Sequence, residues 1–168
     1  MSTKNKHIPC LITIFGATGD LSHRKLFPSL FHLFQQNNLD EHIAIIGIGR
    51  RDLTNDEFRQ QVASSIQHHV GNTDLLDEFM THVYYHRHDV NDEASYQSLL
   101  TFSNELDKQY QLQGNRLFYL AMAPQFFGII SDFLKTSGLT NTHGFKRLVI
   151  EKPFGSDLKS AESLNKQI

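Results

Sequence analysis

The chain has 168 residues, of which 39% are hydrophobic and 20% are charged, values typical of one soluble globular domain. Its net charge of -2 provides no general attraction to nucleic acid or to an anionic membrane, so we expect neither as a partner. No stretch approaches the roughly 20 apolar residues that span a bilayer, and the single cysteine, Cys10, excludes an intramolecular disulfide, so a cytoplasmic protein is expected.

Apolar runs alternate with helical patterns from one end of the chain to the other. Strands are predicted at residues 11–15, 42–48, 83–90, 116–122 and 146–151, and helices at 20–37, 55–70, 73–82, 92–110 and 124–137, with Ser156 capping a last helix. This alternation predicts a Rossmann-like, doubly wound α/β fold, in which a mostly parallel sheet has helices on both faces. Ligands of such sheets bind beyond the carboxyl ends of the strands.

Local signals refine this order of elements. Pro28 stands inside the first helical pattern, where it removes an amide donor and is expected to kink or divide the helix. Thr54 and Glu57 have the spacing of a capping box at the start of the second helix. The strand at 83–90 is more polar than the others, which predicts a position near the sheet edge, and Gly138 is expected to end the helix at 124–137.

The ten histidines raise the question of a metal site. The densest group is His82, His86 and His88, with His68 and His69 nearby. No HExxH pattern and no cysteine partner accompany this group. We therefore predict no metal site and expect these histidines to be solvated at the surface.

The first predicted strand is followed by GATGDLS, residues 16–22, which leads directly into a helix. Gly16 permits a tight turn, Gly19 lets the backbone approach a diphosphate, and Ser22 is small enough for helix and strand to pack closely. The start of the helix adds amides and the positive end of its dipole, which favours an anion. A purely structural turn is the alternative. Neither the Walker pattern GxxxxGK[ST] nor the Tyr-x-x-x-Lys pair of short-chain reductases occurs in the chain.

The second predicted strand is followed by Gly49, Arg50 and Arg51. In NAD-binding domains an acidic residue at this place binds the ribose hydroxyls, whereas arginine accommodates the additional phosphate of NADP. Two guanidinium groups and no carboxylate stand at this strand end, so NADP is favoured over NAD, although Asp52 follows closely. The alternative is a pair of solvated arginines at a turn.

The ends of the fourth and fifth strands offer two further candidates. Ala123 and Pro124 are small or flat residues against which a nicotinamide ring would lie, although the start of a helix alone also explains the proline. Lys152 follows the fifth strand and would face the cleft, where an ammonium group contacts a sugar phosphate or the reacting hydroxyl. A surface lysine ahead of a turn is the alternative.

Four segments together resemble the glucose-6-phosphate dehydrogenase family. They are IFGATGDLSHRKLFPSLF (14–31), IIGIGRRDL (45–53), NRLFYLAMAPQFF (115–127) and RLVIEKPFG (147–155). They occur in the order and at the spacing of that family, and the resemblance covers essentially the whole chain. It implies that residues 1–168 are an amino-terminal NADP-binding domain. The catalytic histidine and the carboxy-terminal α+β domain, which completes the substrate pocket and the homo-oligomer interface, would then lie outside this sequence.

The resemblance also implies roles for individual residues. The coenzyme turn would consist of Gly16, Ala17, Thr18, Gly19, Asp20 and Leu21. Arg50 would hold the adenosine phosphate with help from Thr18 and Arg51. Ala123 and Pro124 would border the nicotinamide. Lys25 and Lys152 would reach glucose 6-phosphate, with Lys152 also beside the coenzyme.

The reaction implied by the resemblance oxidises carbon one of glucose 6-phosphate to a lactone and passes a hydride to NADP, as in an NADP-dependent dehydrogenase acting on a CH–OH group. The hydroxyl proton needs a general base, for which this sequence offers no convincing candidate. We therefore expect the isolated chain to bind NADP weakly and to turn over nothing. Two alternatives are a non-catalytic NADP-sensing module and a methyltransferase of similar topology, the latter disfavoured because S-adenosylmethionine has no phosphate for the arginines.

Overall fold

The computed structural model describes residues 8–36, 39, 41–67 and 73–150. Its strands are β1 (Cys10–Phe15), β2 (Ile43–Gly49), β3 (Val83–Arg87), β4 (Arg116–Leu120) and β5 (Lys146–Ile150). Its helices are α1 (Phe27–Gln35), α2 (Asn55–Ile66), α3 (Thr73–Met80), α4 (Glu93–Tyr110) and α5 (Phe127–Thr136), with a π-helical turn at Ser22–Leu26 and a 3-10 turn at Pro124–Phe126. The elements predicted within these residues are present, and β3 and β4 end a few residues earlier than predicted. The predicted cap Ser156 lies outside the described residues.

In the described part of the chain, five strands form one parallel sheet in the order β3-β2-β1-β4-β5. β2 and β3 follow one another on one side of β1, and the chain then crosses to the other side, where β4 and β5 lie. The strand order therefore reverses between β1 and β4, and a crevice for ligands is expected at their carboxyl ends. This is the Rossmann-like topology that the alternation of elements predicted.

The burial of each strand follows its place in the sheet. Every residue of β1 and all but the last residue of β2 are buried, because both faces of these inner strands are covered. The edge strands β3 and β5 carry partly exposed residues, and β5 begins with the exposed Lys146 and Arg147. The edge position predicted for the polar third strand is confirmed.

Helices cover both faces of the sheet and form two hydrophobic cores. On one face α1, α2 and α3 contribute Phe27, Phe58 and Phe79. On the other face α4 and α5 contribute residues such as Tyr96 and Ile130. Full burial of such a side chain stabilises the fold by roughly 1.5–3 kcal/mol relative to an exposed position. Among the described helices, none has the length and apolar character needed to cross a membrane.

The helix that follows the glycine turn contains a π-helical turn just before Pro28. The N–H of Phe27 donates to the carbonyl of Ser22, five residues earlier, and Leu26 and Phe27 keep right-handed helical backbone angles. Pro28 follows directly after this wide turn and removes one amide donor from the helix. The predicted division of the helix at Pro28 is thus present as one wide turn within a continuous helix.

Predicted helix ends are also observed. The N–H of Glu57 donates to Thr54 Oγ1 (3.1 Å) and the N–H of Thr54 donates to Glu57 Oε2 (2.9 Å), so the capping box at the start of α2 is complete. After α5 the chain passes through Gly138 with a φ of +89°, as expected for a glycine that ends a helix. α5 itself begins at Phe127, after the 3-10 turn, and therefore later than predicted.

The prediction that the clustered histidines are solvated is wrong for His82 and His88, whereas His68 and His69 lie outside the described residues. His82 is only 9% exposed and its Nδ1 lies 2.8 Å from the carbonyl oxygen of Ile43, while His88 is 2% exposed. The ring of His88 packs between those of Phe15 (5.7 Å between centroids) and Tyr96 (4.5 Å). Burial arises because β3 ends under α4, which the sequence of β3 alone does not reveal. Within the described residues no group of three or more His, Cys, Asp or Glu is placed to hold a metal ion.

Candidate coenzyme site

The glycine turn lies at the carboxyl end of the central strand β1. Gly16 has a φ of +83°, and a Cβ built there would overlap the carbonyl oxygen of Ala121 and lie 2.8 Å from Cγ of Met122. The N–H of Ala17 donates to the carbonyl of Ile48 (3.0 Å), which ties the turn to the end of β2. Only glycine allows the ends of β1 and β4 to approach this closely.

Hydrogen bonds within the turn set the direction of the helix that follows. The carbonyl of Gly16 accepts the N–H of Gly19 (3.1 Å) and the hydroxyl of Ser22 (3.0 Å), and Ser22 is fully buried. The helix begins at Asp20, and the N–H of His23 already donates to the carbonyl of Gly19. The amides of the first helical turn lack intrahelical acceptors, so this end of the helix favours an anion.

Two arginines and the glycine turn line one pocket of about 270 Å³. The lining residues are Gly16, Thr18, Ile48, Gly49, Arg50, Arg51, His88, Asp89, Val90, Asn91, Met122 and Phe126. Arg50 and Arg51 are exposed, and within the described residues neither guanidinium group lies within ion-pair distance of a carboxylate. Both positive charges are therefore available to a phosphate bound in the pocket.

A further part of the pocket wall is mainly apolar. Ile48, Val90, Met122 and Phe126 supply hydrocarbon surface, which suits the flat rings of a nucleotide. His88 belongs to this wall, and neither of its ring nitrogens has a hydrogen-bond partner among the described residues. Burial, and to a smaller degree the charge of His86, lowers the pKa of His88 to about 4. His88 is therefore neutral at physiological pH.

Sequence analysis missed the part of this wall that follows β3. His88, Asp89, Val90 and Asn91 come directly after the edge strand, and Phe126 ends the 3-10 turn. The rule that ligands bind at the carboxyl ends of strands would have found the residues after β3. The polarity of the β3 sequence indicated an edge position and not a contribution to the pocket.

Five further predicted residues come from the glycine turn, the end of β4 and the segment after β5. Ala17 is fully buried and its side chain packs in the core, while Leu21 is partly buried. Ala123 and Pro124 are exposed and lie between Met122 and Phe126, which both line the pocket. Lys152 lies outside the described residues.

Two predicted residues of the first helical segment do not line this pocket. Asp20 forms an exposed ion pair with Arg24 (3.2 Å), of a kind that contributes ~0–1 kcal/mol. Lys25 is exposed in a shallow groove along α1. It does not line the pocket of the glycine turn, Arg50 and Arg51, which we call the coenzyme pocket.

Comparison with known proteins places the chain in a family. A sequence model described as "Glucose-6-phosphate dehydrogenase, NAD binding domain" matches residues 13–168. The glucose-6-phosphate 1-dehydrogenases of Bacillus subtilis, Streptococcus pneumoniae and Leuconostoc mesenteroides are 49%, 46% and 42% identical to the chain over 98%, 94% and 96% of its length. These alignments cover 33%, 32% and 33% of the three proteins, so the chain spans about a third of their length.

Solved structures agree with the sequence comparison. A glucose-6-phosphate dehydrogenase in complex with its substrate glucose-6-phosphate superposes with a TM-score of 0.83 at 34% identity, covering 96% of this chain and 34% of that one. Glucose-6-phosphate 1-dehydrogenase from Mycobacterium avium gives a TM-score of 0.79 at 29% identity, covering 96% and 33%. The chain therefore belongs to the glucose-6-phosphate dehydrogenase family, in which it corresponds to the NAD-binding domain.

Proposed function

We propose that the pocket between the glycine turn and the end of β2 binds NADP(H). The observation that supports this most strongly is that the turn at Gly16 and both Arg50 and Arg51 line one cavity. The first helical turn would hold the diphosphate, and Arg50, with Thr18 and Arg51, would hold the phosphate on the adenosine ribose.

The preference for NADP over NAD follows from the charges at the end of β2. The family description names NAD, but no carboxylate precedes the two arginines at this strand end to receive ribose hydroxyls. Each charge-assisted hydrogen bond to the additional phosphate would contribute ~1.5–3 kcal/mol, or roughly 10- to 150-fold in affinity. Asp52 is exposed and has no resolved ion pair with either arginine.

We further propose that the whole protein is a glucose-6-phosphate 1-dehydrogenase that oxidises carbon one of the sugar phosphate to a lactone. When bound, NADP would supply the hydride acceptor. Lys25 and Lys152 would hold the substrate, and Ala123 and Pro124 would border the nicotinamide. The names of the relatives and the substrate complex of a similar structure support this assignment. The catalytic histidine is expected outside the matched motifs of this chain.

We also propose how the whole protein is divided into domains, how it assembles and where in the cell it lies. Residues 1–168 would form the NADP-binding domain, and a carboxy-terminal α+β domain would mediate a homo-oligomer. Relatives about three times as long as this chain support the additional domain. The cytoplasmic location and the lack of nucleic-acid and membrane partners stay predictions from composition.

The test is steady-state kinetics of the full-length protein with glucose 6-phosphate and either NADP+ or NAD+. Arg50→Ala is expected to raise the KM for NADP+ roughly 10- to 150-fold and to leave the KM for NAD+ nearly unchanged. The matched control is Arg147→Ala, which removes an exposed arginine at the amino end of β5. Equal effects of Arg50→Ala on both coenzymes would contradict the assigned phosphate site.

The isolated 168-residue chain provides a separate test of the same proposal. It is expected to bind NADP+ weakly and to show no glucose 6-phosphate oxidation, because the general base is assigned elsewhere. A measurable initial rate from this chain alone would refute that assignment.

A further inference from the structure

The hydroxyl group of Tyr85 holds the backbone of the arginine loop, residues 49–51, by a hydrogen bond from a neighbouring strand. Tyr85 lies on β3 and is only 7% exposed. Its Oη donates a hydrogen bond of 2.6 Å to the carbonyl oxygen of Arg51. The bond crosses from β3 to the loop after β2, so it joins residues 34 positions apart in the sequence.

The same hydroxyl lies beside the glycine turn. A Cβ built at Gly49 would be 3.2 Å from Tyr85 Oη and 3.1 Å from Thr18 Oγ1. Because Gly49 has no side chain, Thr18, Tyr85 and the backbone of the arginine loop meet at one point. Thr18, Gly49 and Arg51 all line the coenzyme pocket.

Tyr85 is itself held firmly on two sides. Its N–H donates to Asn55 Oδ1 (2.8 Å) at the first residue of α2, and its ring packs on Phe58 with 4.9 Å between centroids. Burial raises the pKa of Tyr85, so the hydroxyl remains a donor at physiological pH. By contrast, the side chains of Arg50 and Arg51 have no ion pair among the described residues.

We propose that Tyr85 is a positioning residue for coenzyme selectivity, which acts through Arg51 to hold the arginine loop where it meets the additional phosphate of NADP. This inference rests on the proposed function, since it assumes that the arginines bind that phosphate. NAD lacks the phosphate, so loss of the hydroxyl weakens NADP binding and leaves NAD binding nearly unchanged. The aromatic ring alone serves the packing on Phe58.

The test is an NMR titration of the 168-residue chain with NADP+ and with NAD+, which measures weak dissociation constants directly. Tyr85→Phe removes the hydroxyl and keeps the ring. Its Kd for NADP+ is expected to rise roughly 2- to 10-fold, while its Kd for NAD+ stays the same. Loss of packing alone would not change the ratio of the two constants.

The neighbouring Tyr84 provides a matched control. It lies on the same strand, and its hydroxyl is 2.6 Å from that of Tyr110, away from the loop. Tyr84→Phe therefore removes a hydrogen bond of equal length, and we expect the ratio of the Kd for NADP+ to the Kd for NAD+ to stay unchanged. A change of the ratio in Tyr84→Phe as large as in Tyr85→Phe would overturn the inference.

Variants of the arginines separate failure of this inference from failure of the proposed function. If Arg50→Ala abolishes the preference for NADP+ but Tyr85→Phe does not reduce it, the positioning role is wrong and the coenzyme site stands. If Arg50→Ala leaves the preference intact, both proposals fail. In an Arg50→Ala/Arg51→Ala background, Tyr85→Phe should have no further effect on the Kd for NADP+. If Tyr85→Phe raises this Kd as much in that background as it does with both arginines present, the inference is overturned.

Discussion

A Cβ built on Gly16 would overlap the carbonyl oxygen of Ala121, so the ends of β1 and β4 approach closely beside the pocket that Gly16 lines. Gly16→Ala would place a methyl group into that carbonyl at a φ of +83°, where an alanine costs roughly 1–3 kcal/mol in backbone strain alone. We expect lower stability in urea unfolding and loss of NADP+ binding in the NMR titration.

Gly128→Ala is the matched control for this substitution. Gly128 lies in α5, and a Cβ there meets nothing within 4 Å. Alanine is the better helix former by ~0.8–1 kcal/mol, so this variant should be slightly more stable and should bind NADP+ as before. If Gly16→Ala binds NADP+ as well as Gly128→Ala does, the close approach at Gly16 is not needed for the coenzyme.

Acid should destabilise the protein through His88. Burial and His86 lower the folded pKa of His88 to about 4, whereas the unfolded chain takes up the proton near the ordinary 6.5. The unfolded state therefore binds more protons between these values, and the stabilisation present above pH ~6.5 is lost as the pH falls towards 4. The difference corresponds to roughly 3 kcal/mol.

Urea unfolding followed by circular dichroism at about pH 7.5 and about pH 5 measures this effect. His88→Leu is expected to reduce the difference between the two pH values, since the buried titrating group is removed. His143→Gln, which changes an exposed histidine, serves as the control. An equally steep pH dependence in His88→Leu would show that other groups cause it.

Arg116 and Asp107 form an ion pair in which substitution of Asp107 should destabilise the protein more than substitution of Arg116. Arg116 Nη1 donates to Asp107 Oδ2 at 2.6 Å, and the side chain of Arg116 is 3% exposed against 22% for Asp107. Asp107 Oδ2 also accepts the N–H of Gly114 (3.0 Å). Asp107→Asn leaves a buried, unpaired guanidinium group and should cost roughly 3–5 kcal/mol.

Arg116→Met should cost clearly less than Asp107→Asn, because the carboxylate that it leaves behind has access to water and keeps the N–H of Gly114. Urea unfolding of both variants in the same buffer measures the difference. Equal losses would mean that the packing of the long side chain, and not the unpaired charge, decides the result.

The capping box at the start of α2 should contribute a small, measurable stability. Thr54→Ala removes the acceptor for the N–H of Glu57 and should lower the free energy of unfolding by ~1 kcal/mol. Thr54→Ser retains the hydroxyl and should restore most of the loss. If serine is no better than alanine, the methyl group of Thr54 matters more than its oxygen.

Local sequence was sufficient for the fold because each inner strand is a continuous apolar run between turn residues, as in β1 and β2. The geometry of the glycine turn was also predictable, since Gly16, Gly19 and Ser22 are joined by hydrogen bonds within seven residues. The position of Arg50 and Arg51 was predictable from local sequence too, because they directly follow the apolar run of β2.

Features that depend on distant parts of the chain were not predictable in this way. The contact of Tyr85 with Arg51 joins separate strands, and the burial of His88 depends on α4 above it. The sequence predicted that Pro28 would kink or divide the helix, but it did not predict the π-helical turn that precedes it. Lys152 lies outside the described residues and stays a prediction.

Because of the π-helical turn at Ser22–Leu26, the number of residues in this segment determines how the start of the helix is oriented relative to α1. Each residue rotates an α-helix by about 100°, so deleting one residue here would rotate the Asp20 end of the helix relative to the face of α1 that packs in the core. A single-codon deletion in this stretch should therefore disrupt either packing or coenzyme binding. Conservative exchanges at its exposed positions, such as Arg24, should be tolerated.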